Sequence, residues 1–230
     1  MVRRKSVYNP HNRLFHAVLV LILFIVIIWI FIRALGTAFE RVGFNPTTVA
    51  LILAATFFGS YVNIPLLKMK TVTPIIREEF ASFFGVVYRI PRVEHGETTT
   101  LIAVNLGGAL VPTLVSAYLL WKLPSAIPYS MIAVAIVAIV THVVARPVKG
   151  VGITTPVLVS PVVAAVSAYL LPFEVPQVVA YVAGVLGTLI GADLSNLHVI
   201  PKLGAPVASI GGAGTFDGVF LSGIIAVLLA

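Results

Sequence analysis

Residues 14–32 read LFHAVLVLILFIVIIWIFI, nineteen positions with His16 as the one polar break. A bilayer core needs about 20 consecutive apolar residues in a helix, so this run is long enough to cross. It is too long for the core of a cleaved signal peptide, and no small-residue cleavage site follows it cleanly. The expectation is a retained signal anchor. The rest of the chain agrees with that start. Of 230 residues, 59% are apolar and 10% are charged, and mean hydropathy is +1.08. Soluble domains carry about 25% charged residues. The composition is that of an integral membrane protein.

Further apolar runs place spans near 14–35, 47–67, 98–121, 127–145, 154–171, 176–193 and 214–230. Lipid satisfies no backbone polar group, so runs this long and apolar read as helices. The expected fold is all-α: a polytopic bundle of about seven transmembrane helices, forming a single integral membrane domain over 1–230. Residues 1–13 are a basic cytoplasmic N-terminus. The stretch 74–92, PIIREEFASFFGVVYRIPR, mixes charges with Phe, Val and Tyr. It is expected to be an interfacial or cytoplasmic helix, within a loop region over 74–97.

The net charge of +7 suggests nucleic acid as a partner, but the distribution of the basic residues argues otherwise. Arg3, Arg4, Lys5, Arg13, Lys68, Lys70, Arg77, Arg89, Arg92, Arg146, Lys149 and Lys202 fall on one side of the expected spans; Arg33, Arg41 and Lys122 fall on the other. Positive charge collects in cytoplasmic loops, so the N-terminus is expected inside and the protein in the cell membrane as a multi-pass chain. The partner is then the bilayer, not nucleic acid. The chain has no cysteine, which removes disulfide and thiolate chemistry.

This orientation gives the polar residues a pattern. Asn63, Asn105, His142, Arg146, Thr154, Thr155, Asn196 and both aspartates of the chain, Asp193 and Asp217, fall in the cytoplasmic third of their spans. Polar residues near helix ends are ordinary, because they sit near water. What singles out this set is that it holds every aspartate in the sequence. Ionisable groups within spans are costly and mark sites. Glycine and proline interrupt the apolar runs at NLGGALVPT (105–113), KGVGITTP (149–156) and SIGGAG (209–214), which predicts broken helices. Gly184, Gly187 and Gly191 have spacing suited to close helix packing. Gly211, Gly212 and Gly214 suggest instead a flexible entry to the last helix, where a backbone free to take unusual angles adjoins Asp217. The hexapeptide VSAYLL occurs at 115–120 and again at 166–171, each followed by a Pro-containing turn and another span. Read as a parallel repeat, it makes His142 and Asp193 equivalent positions.

Two carboxylates brought close cannot both ionise easily and hold one proton between them. Such a pair offers a base to activate water and an acid for the leaving group. Peptide hydrolysis needs both. GAGTFDGVFLSGIIAVLL (212–229) resembles the Gly-x-Gly-Asp helix of signal peptide peptidases and presenilins, the intramembrane aspartyl proteases, and Asp193 has the place of their second aspartate. The chain departs from that pattern. Thr215 and Phe216 stand between Gly214 and Asp217, Ala192 precedes Asp193 where the family has tyrosine, and no Pro-Ala-Leu motif follows. A wider resemblance rests on FGSYVNIPL, VNLGGALVPT, ARPVKGVGITTP, GADLSNL and GGAGTFDGVFLSGI. These segments resemble a prokaryotic membrane family catalogued as domain-of-unknown-function family 1614. That likeness implies a multi-span membrane protein and no activity.

Three readings of the acids therefore stand together. Asp193 and Asp217 are catalytic residues toward a transmembrane peptide, with Asn63, Asn105, His142, Arg146, Asn196, Gly212 and Gly214 in support. In the second reading the same acids carry protons or a small cation in a coupled carrier or channel. The third is a non-enzymatic membrane protein. A metal site from His142, Asp193, His198 and Asp217 lacks any paired-histidine motif, and no metal or other cofactor is expected. Arg146 and Lys149 offer a lipid-phosphate contact. Arg146 also has a role that would silence the acids, as a salt-bridge partner holding Asp193 ionised.

Overall fold

The computed structural model describes residues 10–83, 86–149, 152–212 and 217–230. Most of the N-terminal basic stretch and the glycine Gly214 lie outside these residues.

Among the described residues there are seven α-helices: α1 (Pro10–Arg41), α2 (Pro46–Gly59), α3 (Val111–Lys122), α4 (Ile127–Val144), α5 (Val159–Leu170), α6 (Pro176–Val182) and α7 (Gly218–Leu229). Helix α6 runs on through two π-helical turns, Ala183–Gly187 and Leu189–Asp193. By length and composition, three helical stretches are able to cross a membrane: Leu14–Arg41, Pro124–Val144 and Pro176–Asn196. Helix α2, the stretch Leu106–Lys122, α5 and α7 are apolar but shorter.

The fold is not all-α. Strands β1 (Asn63–Phe83) and β2 (Val86–Asn105) form a long antiparallel hairpin, and β5 (Val207–Ile210) adds to β2 in parallel. A second small sheet pairs β3 (Arg146–Val148) with β4 (Gly152–Thr154). The helix expected over 74–92 is therefore strand. The spans expected at 47–67 and 98–121 are shorter than their apolar runs, because 63–67 and 98–105 are strand; in the one expected at 154–171, Thr154 ends β4 and the helix begins only at Val159. The physical reason lies in the side chains. Thr98, Thr99 and Thr100 lead into Leu-Ile-Ala-Val, and Thr98 pairs with Thr71 across the hairpin. Branching at Cβ is costly in a helix and suits a pleated strand. Hydropathy registers the apolar content of 101–104 and misses this stereochemistry. Pro65 lies at a register shift, and Pro74 lies on edge strand β1, positions where a missing N–H does not break a sheet.

Packing separates α1 into two parts. Residues 14–33 are exposed along their length, whereas Leu35, Ala38, Phe39 and Val42 are buried. Phe39 packs on Tyr181 and Phe220, centre to centre 5.9 and 6.3 Å. The Arg41 guanidinium donates to the carbonyls of Val227 and Leu228 at the end of α7, at 3.4 and 3.1 Å. Cationic donors suit the free carbonyls of a helix C-terminus. The C-terminal ends of α1 and α7 therefore meet, and the N-terminus of α7, with Asp217, lies at the opposite end of the bundle.

The glycines of the sixth helical stretch pack as expected. A methyl group at Gly191 would collide with the Ala138 carbonyl, and one at Gly187 with the Val137 side chain, so α4 rests on backbone. The VSAYLL copies fall in α3 and α5, and His142 and Asp193 each lie near the end of the helical stretch that follows.

Candidate functional site

Asp193 closes the second π-helical turn after α6. Inserted π turns rotate the residues that follow, and they are frequent at functional positions. Its Oδ2 accepts the Gly211 N–H at 2.7 Å. Gly211 and Gly212 follow β5 with φ of +78° and +79°. Two successive left-handed residues are accessible to glycine and costly for any residue with a Cβ. The space a Cβ would take at Gly212 is filled by the Asp217 carboxyl group. The Gly211–Gly212 dipeptide thus connects the two acids: its first residue donates to Asp193, and its second lies beneath Asp217.

Asp217 stands at the N-cap of α7 in extended geometry (φ −63°, ψ 169°), yet its side chain makes no capping bond. It is instead close enough to Asp193 for the two charges to interact. Among the described residues no hydrogen bond joins the two carboxylates. Both acids line one cavity of about 370 Å³, together with Thr154, Thr155, Thr188 and Ser209. That volume suits a small ligand or a short stretch of chain. Asp193 is buried, with the Gly211 amide and Asp217 acting on it, and among the described residues no cation does so.

The remaining residues singled out in the sequence fall into three places. Asn63 begins β1 and Asn105 ends β2, the neighbour of β5. Asn105 is fully buried; its Nδ2 donates to the Ser60 carbonyl at 2.7 Å and to Asn63 Oδ1 at 3.2 Å. Its Oδ1 accepts the Gly108 N–H at 2.6 Å and caps the π-helical turn Leu106–Leu110. Asn63 Oδ1 also accepts from the Ser209 hydroxyl at 2.6 Å. Gly211 in turn lies directly against Gly108 and Ala109. This network fixes the glycine dipeptide from the side away from the acids.

His142 and Asn196 form a separate cluster where the α4 and α6 stretches end. His142 Nδ1 lies 3.0 Å from the Ser195 hydroxyl, and Asn196 Nδ2 donates to the Ala192 carbonyl at 2.9 Å. Asn196 thereby secures the backbone around Asp193 without touching the cavity. Arg146 is exposed on β3 and borders a neighbouring cavity with Thr154 and Thr155. It is not a partner of Asp193. His142, Asp193, His198 and Asp217 do not gather, and among the described residues no three His, Cys, Asp or Glu side chains are placed to hold a metal.

Ser209, Thr188 and Ser222 were not singled out by the sequence. Thr188 is the one polar residue in VAGVLGTLIGA, and Ser222 the one hydroxyl in GVFLSGIIAVLL. Each lies five residues from an aspartate, which is the signal that could have drawn them in.

The model of the family described as "Protein of unknown function (DUF1614)" matches residues 57–229. No curated protein and no solved structure matches the chain. Nothing among these comparisons links it to signal peptide peptidases or presenilins.

Proposed function

The chain belongs to that family of unknown function, and on this premise we propose that it is a multi-pass membrane protein whose Asp193 and Asp217 form a hydrolytic pair for peptide bonds, in the manner of an intramembrane aspartyl protease. The observation that carries the reading is that both acids of the pair line one cavity, linked by the Gly211–Gly212 dipeptide, with no cation among the described residues against Asp193.

In the proposed arrangement the three long helices and the four shorter ones make seven spans, with the N-terminus inside. Twelve basic residues against three support that orientation. Helices α5 and α7 have 12 residues each, or about 18 Å, well under the ~30 Å hydrocarbon core. Both begin at the site end. Their short reach recesses the cavity into the inner leaflet and opens it to cytoplasmic water.

The chemistry then follows. One carboxylate takes a proton from water as its oxygen bonds to the peptide carbonyl carbon. The protonated partner gives its proton to the nitrogen as the C–N bond breaks, leaving a carboxylic acid and an amine. A bridging water satisfies both acids without a direct bond between them. The test is cleavage of a transmembrane helical peptide co-reconstituted in proteoliposomes. Asp193→Asn and Asp217→Asn should each lower cleavage by about 10²–10⁴-fold, the contribution of a general acid or base, while the protein stays folded. Full cleavage by either variant would sink the reading.

A second reading has its own support. The acids share their cavity with the hydroxyls of Thr154, Thr155, Thr188 and Ser209. Carboxylate and neutral oxygens together suit a hard cation. That reading expects uptake dependent on pH or sodium, lost in both Asn variants, with no peptide cleaved.

A further inference from the structure

We propose that Thr188 and Ser222 are positioning residues, whose buried hydrogen bond sets the separation of the helices that carry Asp193 and Asp217; the proposal rests on reading those acids as a working pair. Thr188 Oγ1 donates to Ser222 Oγ at 3.0 Å, and both residues are buried. The helical stretch starting at α6 ends at Asp193, and α7 starts at Asp217, so the two run antiparallel from the site. Thr188 lies five residues before one acid and Ser222 five after the other.

Further from the site the same two helices touch through backbone. A Cβ on Gly184 would meet the Ser222 carbonyl and the Gly223 Cα, and one on Gly223 would meet Val185 and the Tyr181 ring. That contact sets the closest approach of the helices but not their angle. A second fixed point, nearer the acids, is needed to determine the splay. The hydroxyl pair supplies it. Thr188 also lines the cavity itself, so the polar link reaches the wall of the site. Both residues are buried, so the bond between them is not readily exchanged for one to bulk water.

The absence of native cysteine allows a direct measurement. Nitroxide labels on Leu194→Cys and Gly218→Cys report the helix separation while leaving both acids in place. Leu194 is exposed, and Gly218 has open space where a Cβ would go. Dipolar broadening between the labels should weaken in Thr188→Val and be retained in Thr188→Ser, which keeps the donor. Ser222→Ala removes the acceptor and should behave as Thr188→Val, serving in its place if that variant does not fold. Without labels, Thr188→Val should lose about a hundredfold in acid-dependent turnover, the scale of a 1 Å misplacement, and Thr188→Ser should recover it. Broadening that is unchanged in Thr188→Val, or broadening that weakens with turnover intact, overturns the proposal. If the unsubstituted chain shows neither cleavage nor uptake, it is the two-acid reading that fails, and the broadening still decides the clamp.

Discussion

Gly212→Ala separates backbone strain from displacement of an acid, because the chain holds a matched control. Gly204 and Gly212 have nearly the same backbone, with φ of +74° and +79°. An alanine at either carries the left-handed penalty, about 1–2 kcal/mol. Their surroundings differ. A Cβ at Gly204 meets nothing, whereas one at Gly212 falls on the Asp217 carboxyl group. Gly204→Ala should therefore lower the melting temperature in detergent by about 2–8 °C, taking 2–4 °C per kcal/mol for a chain of this size, and leave turnover intact. Gly212→Ala should show a comparable thermal loss and, in addition, lose about a hundredfold in turnover as the carboxylate is pushed from its place. The assay is thermal unfolding followed by cleavage or uptake in proteoliposomes on the same preparations. Equal turnover in the two variants would refute the placement of Asp217 over Gly212.

Asn105→Leu should destabilise by about 2–6 kcal/mol, since it leaves the buried Ser60 carbonyl and Gly108 amide without their partner at about 1–3 kcal/mol each; an unchanged melting temperature would contradict the buried network. Arg146→Ala should leave turnover as it is, because the guanidinium is exposed and is not a partner of Asp193. A loss comparable to that of Asp193→Asn would mean that Arg146 governs the acid after all.

The sequence made the helices legible where polarity and hydropathy changed together. Residues 127–145 were expected as a span, and α4 covers Ile127–Val144; 176–193 were expected, and the helical stretch reaches Asp193. The expectation failed where an apolar run changed structure without changing polarity. Leu101 to Val104 are as apolar as the helix after them, but they belong to a strand whose partners are at Ile64 to Lys68 and at Val207 to Ile210. Strand pairing is a long-range fact, and apolar content in one segment does not encode it. The site divided along the same line. The two aspartates stood out by rarity, and Gly212 by its neighbours. Asn105 looked like a member of the same polar layer, yet it ends the neighbouring strand β2 and bonds to Ser60, Asn63 and Gly108 instead of lining the cavity. Ser209 and Thr188 reach the cavity only because β5 and the π turns aim them there.

Asp217 supports a functional reading better than its rarity does. Where this chain has an asparagine at an N-cap, the side chain caps: Asn45 Oδ1 accepts the Thr48 N–H at 2.8 Å, and Asn105 Oδ1 accepts the Gly108 N–H at 2.6 Å. Asp217 occupies the same position before α7 and makes no such bond. Turning a carboxylate from cap to cavity forgoes about 0.5–2 kcal/mol. The adjoining glycine pair forgoes more, since glycine loses the most backbone freedom on folding. A sequence selected for stability alone would let Asp217 cap its helix and would need no left-handed pair beneath it. Local rules are broken together at one point, beside the only other aspartate, while the network behind that point is fully bonded through Asn105. In the proposed reading, these local costs are accepted so that the carboxylate faces the cavity. A purely structural carboxylate would turn back to the α7 amides, and Asp217→Ala would then cost about 0.5–2 kcal/mol through the lost cap. With the side chain already off the cap, that substitution should leave the melting temperature nearly unchanged and remove the activity.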